Sequence, residues 1–185
     1  MNKERVVFID VETTGLDPAK GHRIIEIGAI AMENNRRISE FQSLVQVSYP
    51  IPSHVSKIHG ITNDMLAGQP TPEQIYPEFK HFISDSLLIA HNAEFDIGFL
   101  RSEFSRLNLR IQNPSICTLK ISRRRYPRLP NYKLSTVYKH LVGTVGDMFR
   151  KPEGIGTCPR IQKHRALDDA RMVAAIWMAM EKIDE

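Results

Sequence analysis

Cysteine is almost missing from this chain. Cys117 and Cys158 stand alone, with no C-x-x-C spacing, which excludes a disulfide scaffold and a cysteine-rich zinc site and fits a reducing compartment. Long apolar runs are missing too. The strongest, Met172 to Met180, falls well short of the ~20 apolar residues that span a bilayer. The opening Met1-Asn2-Lys3-Glu4-Arg5 lacks the apolar core of a signal peptide. The expected compartment is therefore the cytoplasm, with no membrane partner. Nor is there a strong charge bias. Lys and Arg number 25 against 21 Asp and Glu, an excess that permits a polyanionic partner without demanding one. No repeat, low-complexity tract or linker interrupts the 185 residues, so the expectation is one domain over 1–185.

What is present reads as strands first, then strands alternating with helices. Val6 to Val11 predicts a strand buried on both faces, and Thr13-Thr14-Gly15-Leu16-Asp17-Pro18 is turn chemistry. Arg23 to Met32 and Arg37 to Val47 predict two more strands, joined by a hairpin turn at Glu33-Asn34-Asn35-Arg36. Three neighbouring strands on short turns suggest an antiparallel meander. After a Pro-rich stretch with short helical pieces, Glu73 to Ser84 has helical spacing. Leu87 to Ala90 predicts a short buried strand, and a helix opens after His91-Asn92-Ala93. Ser115 to Cys117 reads as a fifth strand, followed by helices near Leu119–Tyr126 and Lys133–Leu141. Val142 to Lys163 is rich in Gly and Pro and reads as a long irregular loop, and Arg165 to Ile183 as a closing helix. The sum is an α/β chain with a mixed sheet covered by helices.

Three acidic motifs punctuate this frame. Asp10 and Glu12 follow the apolar run two residues apart, so they share a strand face. Carboxylates that close repel unless a cation sits between them, and hard divalent ions choose oxygen ligands. Taken alone, an exposed pair at a strand end accounts for them better. In His91-Asn92-Ala93-Glu94-Phe95-Asp96, Asp96 falls in the first turn of a helix, where a carboxylate also compensates the helix dipole. Glu94 would serve that purpose as well. In His164-Arg165-Ala166-Leu167-Asp168-Asp169-Ala170, Asp168 neighbours Arg165 and Arg171, a solvated ion-pair face. Asp169 instead borders the stripe Ala166, Ala170, Val173, Ala174 and Trp177, and so looks toward the sheet. His164 joins it only from the helix entrance or the loop, outside the helical register.

Together these segments resemble the DEDDh 3′–5′ exonucleases, the group that includes the proofreading epsilon subunit of bacterial replicative polymerase. Asp10 through Leu16, His91 through Asp96 and His164 through Asp169 are similar to the three motifs of that family, in order. Ile58 through Thr62, Cys117-Thr118-Leu119 and Lys133-Leu134-Ser135 resemble its intervening segments. The resemblance implies a ribonuclease H-like fold, with a mixed five-stranded sheet whose first three strands are antiparallel, flanked by helices. It implies that Asp10, Glu12, Asp96 and Asp169 hold two divalent ions, Mg²⁺ or Mn²⁺. His164 is implied as the general base, brought in by the long loop when a 3′ end binds. Thr13, Thr14, Gly15, Leu16, His59 and Phe95 are implied to meet the terminal nucleotide, and Asn92, counted with the substrate-binding set, is implied to brace the metal-side turn. The implied substrate is the 3′ end of DNA, single-stranded or frayed, in proofreading or repair, with nucleoside 5′-monophosphates released. RNA or short oligoribonucleotides form the alternative within the same chemistry. A catalytically inactive nucleic-acid-binding module is the alternative from another class. A DNA polymerase is a further expected partner. The chain stops right after the last family helix, as expected of a free-standing enzyme or of one domain of something longer.

Overall fold

The structure is a computed structural model that describes residues 5–144 and 165–183. Its centre is one five-stranded sheet, built from β1 (Arg5–Thr13), β2 (Ile24–Glu33), β3 (Arg36–Leu44), β4 (Leu87–Ala90) and β5 (Ser115–Cys117). The strand order is β3-β2-β1-β4-β5. β1, β2 and β3 pair antiparallel, whereas β4 runs parallel to β1 and β5 parallel to β4. The expected mixed sheet is therefore present. Its hairpin closes because Asn34 and Asn35 both take positive φ, 49° and 59°, as a two-residue type I′ turn requires. Around the sheet lie α1 (Ser53–His59), α2 (Asn63–Leu66), α3 (Pro72–Ile83), α4 (Ala93–Arg106), α5 (Thr118–Arg125), α6 (Leu134–Thr144) and α7 (Ala166–Ile183).

Alternation along β1 divides the core into two layers. Val7, Ile9 and Val11 pack with Ile75 and Phe79 of α3 and with Ile97, Phe99, Leu100 and Phe104 of α4. Phe8 faces the other way, against Leu167, Val173, Ala174 and Met178 of α7. Asp10 and Glu12 continue the Phe8 row, so β1 aims both toward the start of α7. The helix can come that close because of one glycine. Gly28 sits opposite Asp10 in the β1–β2 register, and a Cβ there would lie 2.1 Å from the Leu167 amide nitrogen.

Three boundaries differ from expectation by more than one residue. β1 runs on to Thr13, so Glu12 lies within the ladder together with Asp10 rather than past its end; only between Glu12 and Thr13 does the register slip. β3 stops at Leu44, short of Val47. α6 continues to Thr144 and takes in Gly143, where a loop was expected from Val142. The rest of that loop, with His164, lies outside the described residues. Among the described residues, no helix is long and apolar enough to cross a membrane.

Gly28→Ala should destabilise the protein by about 1–3 kcal/mol, because the added methyl meets helix backbone that cannot rotate away. Gly98, inside α4, would bring an added Cβ within 4 Å of nothing outside its own helix backbone, so Gly98→Ala should stabilise by about 0.5–1 kcal/mol. Urea unfolding checks both, and equal midpoints for the two variants would show that α7 yields freely at Gly28.

Candidate active site

Folding gathers three of the expected carboxylates at once. One oxygen from each of Asp10, Glu12 and Asp169 lies within 4.8 Å of the others. Asp169 reaches them from the first turn of α7, on the inner side that the apolar stripe predicts. Asp96 arrives from the opposite layer. It is buried in the first turn of α4, and its Oδ1 accepts the Val11 N–H at 3.2 Å. That bond pins the start of α4 to the strand residue between Asp10 and Glu12, and it separates Asp96 from Glu94, which is exposed and pairs with Lys120.

The cost of this gathering appears in the acidities. Burial first, then Asp96, Asp169, Glu12 and Glu26, hold the Asp10 carboxyl well above the usual range. Glu12 is pushed up to about 8 by burial, with Asp169, Glu26 and Asp96 adding and Arg165 opposing. Asp96 is pushed up to about 7, chiefly by burial, against the pull of its backbone hydrogen bonds. Negative charge has been concentrated faster than the fold compensates it. The donor set is oxygen from carboxylates, which suits a hard divalent cation and not a thiophilic one. The four residues therefore fit the ions that the sequence motifs imply.

Beside the cluster opens a cavity of about 520 Å³. Glu12 belongs to its wall as well as to the cluster, and Thr13, Thr14, Gly15, Leu16, His59 and Phe95 line it too. The turn after β1 is held tightly: Thr13 Oγ1 donates to the Gly15 carbonyl at 2.6 Å, and the Arg23 N–H donates to Thr14 Oγ1 at 3.0 Å. A Cβ at Gly15 would stand 2.4 Å from the His22 ring, so a larger residue there would push that ring aside. At the mouth, Leu16 is 85% exposed and Ile58 60%, an apolar rim that the chain leaves uncovered. His59 is buried, and its Nδ1 accepts the Ile61 N–H at 3.0 Å, which puts the proton of the neutral ring on Nε2. Asn92 is not part of the wall. It takes a left-handed φ of 72°, and its carbonyl accepts the Phe95 N–H at 2.8 Å; its place is the turn that launches Phe95 and Asp96.

Two pairs of residues stand out that the motifs did not single out. Arg165 was expected beside Asp168 on a solvated face. It turns inward instead to Glu26 at 2.8 Å, while Asp168 pairs with Arg171 at 3.0 Å. Arg23 grips Glu103 through two bonds of 2.6 and 2.7 Å, bracing the Thr14 turn from α4. The signal for Glu26 was a lone charge inside Ile24-Ile25-Glu26-Ile27, a position where acids seldom stand unless paired.

Comparison with known proteins gives a consistent picture. An exonuclease family model, RNase T, matches residues 7–177. The chain is 36% identical over 183 residues to the PolC-type DNA polymerase III of Caldanaerobacter subterraneus subsp. tengcongensis, covering 98% of this chain but 12% of that protein. It is 37% identical over 187 residues to the DNA polymerase III subunit epsilon of Rickettsia typhi, covering 97% of this chain and 75% of that one. Among solved structures, exonuclease X in complex with 5′ overhanging duplex DNA superposes with a TM-score of 0.72 at 28% identity, over 97% of this chain and 93% of that one.

The raised acidities fix a pH dependence. Without a cation, the folded protein keeps protons on Glu12 and Asp96 that the unfolded chain, at 4.5 and 3.8, has already released. Stability is then greatest below the unfolded values and falls as pH rises through the folded ones. In a chelator, the melting temperature should drop between about pH 4 and pH 8 and level off above, and Mn²⁺ should raise it most at the alkaline end, where it displaces fewest protons. A flat profile in chelator would mean that the carboxylates are compensated from within.

Proposed function

The chain belongs to the RNase T exonuclease family, and on that premise we propose that it is a single-domain 3′–5′ exonuclease that hydrolyses DNA from its 3′ end and releases nucleoside 5′-monophosphates. One observation carries the reading: Glu12 is shared by the carboxylate cluster and by the cavity whose mouth is Leu16 and Ile58. A terminal nucleotide has the matching polarity, an apolar base at one end and an anionic phosphate at the other. The apolar rim covers the base. The Thr13–Gly15 turn meets the sugar, and Phe95 and His59 close the walls. Asn92 supports from behind by shaping the turn into α4.

Asp10, Glu12, Asp96 and Asp169 hold two Mg²⁺ or Mn²⁺. Such ions, when bound, supply positive charge to both the attacking and the leaving oxygen of an in-line displacement. His164 takes the proton from the attacking water, an assignment supported by its motif; an unperturbed histidine titrates near ~6.5 and suits that task at neutral pH. DNA is the favoured substrate because the similar proteins include polymerase III subunits and a structure holding DNA. The same likeness supports work beside a replicative polymerase, in the cytoplasm.

The test is digestion of an end-labelled single-stranded DNA, a matched RNA and a covalently closed circle, each with Mg²⁺, Mn²⁺ or chelator. Stepwise loss from the 3′ end of DNA, abolished by chelator, is expected. A cut circle would overturn the end specificity, and faster loss of RNA would reassign the substrate. Asp10→Ala should lose both metal binding and activity. His164→Ala should lower turnover by roughly 10²- to 10⁴-fold while metal binding survives. A near-normal rate in His164→Ala would hand the proton transfer to another group.

A further inference from the structure

Glu26 stands near the start of β2, is fully buried, and has no part in the chemistry above. All but one of its hydrogen bonds lead to the start of α7. Its Oε1 accepts from Arg165 Nε at 3.0 Å and from Arg165 Nη2 at 2.8 Å. Its Oε2 accepts from Arg165 Nε at 3.1 Å and from the Ala166 N–H at 3.2 Å. Gln42 Nε2, on the neighbouring strand, donates to Oε1 at 3.1 Å and fixes the carboxylate from the far side. The Arg165 carbonyl in turn accepts the N–H of Asp169 at 3.0 Å. A short bonded path thus runs from β2 to a member of the carboxylate cluster. Its foot lies next to that cluster, because Glu26 is directly opposite Glu12 in the strand register.

Apolar contacts already dock α7 on the sheet through Leu167, Val173, Ala174 and Met178. Such contacts are non-directional and tolerate rotation and sliding. A guanidinium fork on a carboxylate tolerates neither, and the charged bond to the first helical N–H fixes the height of the helix end. We propose that Glu26 and Arg165 are a positioning pair for the metal cluster: they set the rotation and height of the first turn of α7, so that Asp169 meets Asp10 and Glu12 at coordinating distance. Arg165 also offsets part of the negative charge that Glu26 brings up beside Glu12. The proposal rests on the reading that this cluster binds divalent ions.

The experiment compares the full chain with Glu26→Gln, Arg165→Gln, the double variant and Arg165→Lys. Arg165 follows His164 directly in the chain, so turnover alone does not separate positioning of Asp169 from disturbance of the base. Mn²⁺ affinity, measured by calorimetry without nucleic acid, does. Each glutamine variant should weaken Mn²⁺ binding and lower kcat by roughly ten- to a hundredfold, as loss of a partner behind a metal ligand does, while KM for DNA stays within about twofold. The double variant should cost no more than the worse single one, because the two residues act as a unit. Arg165→Lys keeps the charge without the fork and should fall between wild type and Arg165→Gln; it carries the test if the glutamine variants do not fold. Variants that bind Mn²⁺ like the wild type, or single losses that multiply in the double variant, would overturn the pair as a positioning device and leave the exonuclease reading standing. A wild-type protein that binds no Mn²⁺ would sink both.

Discussion

Mutual repulsion among buried carboxylates is the constraint around which this molecule is organised. Asp96 and Asp169 lie close enough to raise the proton affinity of both Asp10 and Glu12, and Asp169 also raises that of Asp96. Left to themselves, such groups move apart or stay protonated. Here they cannot move apart, because each sits on an element whose placement is decided elsewhere. β1 is zipped to β2 along its whole length and to β4 at Val6 to Phe8. α4 is locked by Phe99, Leu100 and Phe104, all fully buried. α7 is locked by Val173 and Ala174, also fully buried. Apolar burial at about 25 cal/mol per Å², summed over these clusters, overcomes a local electrostatic penalty and holds the acids in wait for a cation.

The fold also uses buried charge for placement rather than for bulk stability. Glu26 with Arg165 and Glu103 with Arg23 are each a nearly fully buried glutamate held by a forked arginine. Buried pairs of this kind return little net stability, since desolvation cancels most of the attraction. Their geometry is another matter. The first fixes the opening turn of α7, which carries Asp169. The second fixes Arg23, whose backbone exchanges hydrogen bonds with Thr14. One pair thus serves the acidic cluster and the other the turn beside the cavity, and each reaches its target through no more than one intervening residue.

Much of this was legible in the sequence because it follows from period. Alternation places Asp10 and Glu12 on one strand face, and the apolar stripe of the last helix selects Asp169 over Asp168. Spacing could not choose Asp96 over Glu94, since both fall in the same helical turn; the choice is made by the Val11 N–H, a partner that is distant in sequence. Arg165 was misplaced for the same reason. Local spacing offers it Asp168, whereas the tertiary fold offers it a buried carboxylate that needs neutralising more. The cavity was only partly legible. Its turn residues are adjacent in sequence, but its opposite wall comes from α1, about forty residues on, and no local pattern says that Ile58 and Leu16 share a rim.

The location of the site has a topological cause. β1 is where the sheet changes character, with antiparallel β2 on one side and parallel β4 on the other. Ligand sites in open α/β sheets form beyond strand carboxyl ends at such a reversal, because the chain there departs to both faces and leaves a crevice. Here the two departures are α4 and α7, which cover opposite faces of β1. Both begin at the end of β1 that bears Asp10 and Glu12, and each contributes an aspartate from its first turn. Two helix N-termini therefore converge on one spot, and their partial positive charges offset part of the carboxylate repulsion. The same convergence favours a phosphate drawn in beside the cluster. Charge that the strand supplies and charge that the helix ends oppose meet at a single rim, which is why acids can be concentrated there without dissolving the core beneath them.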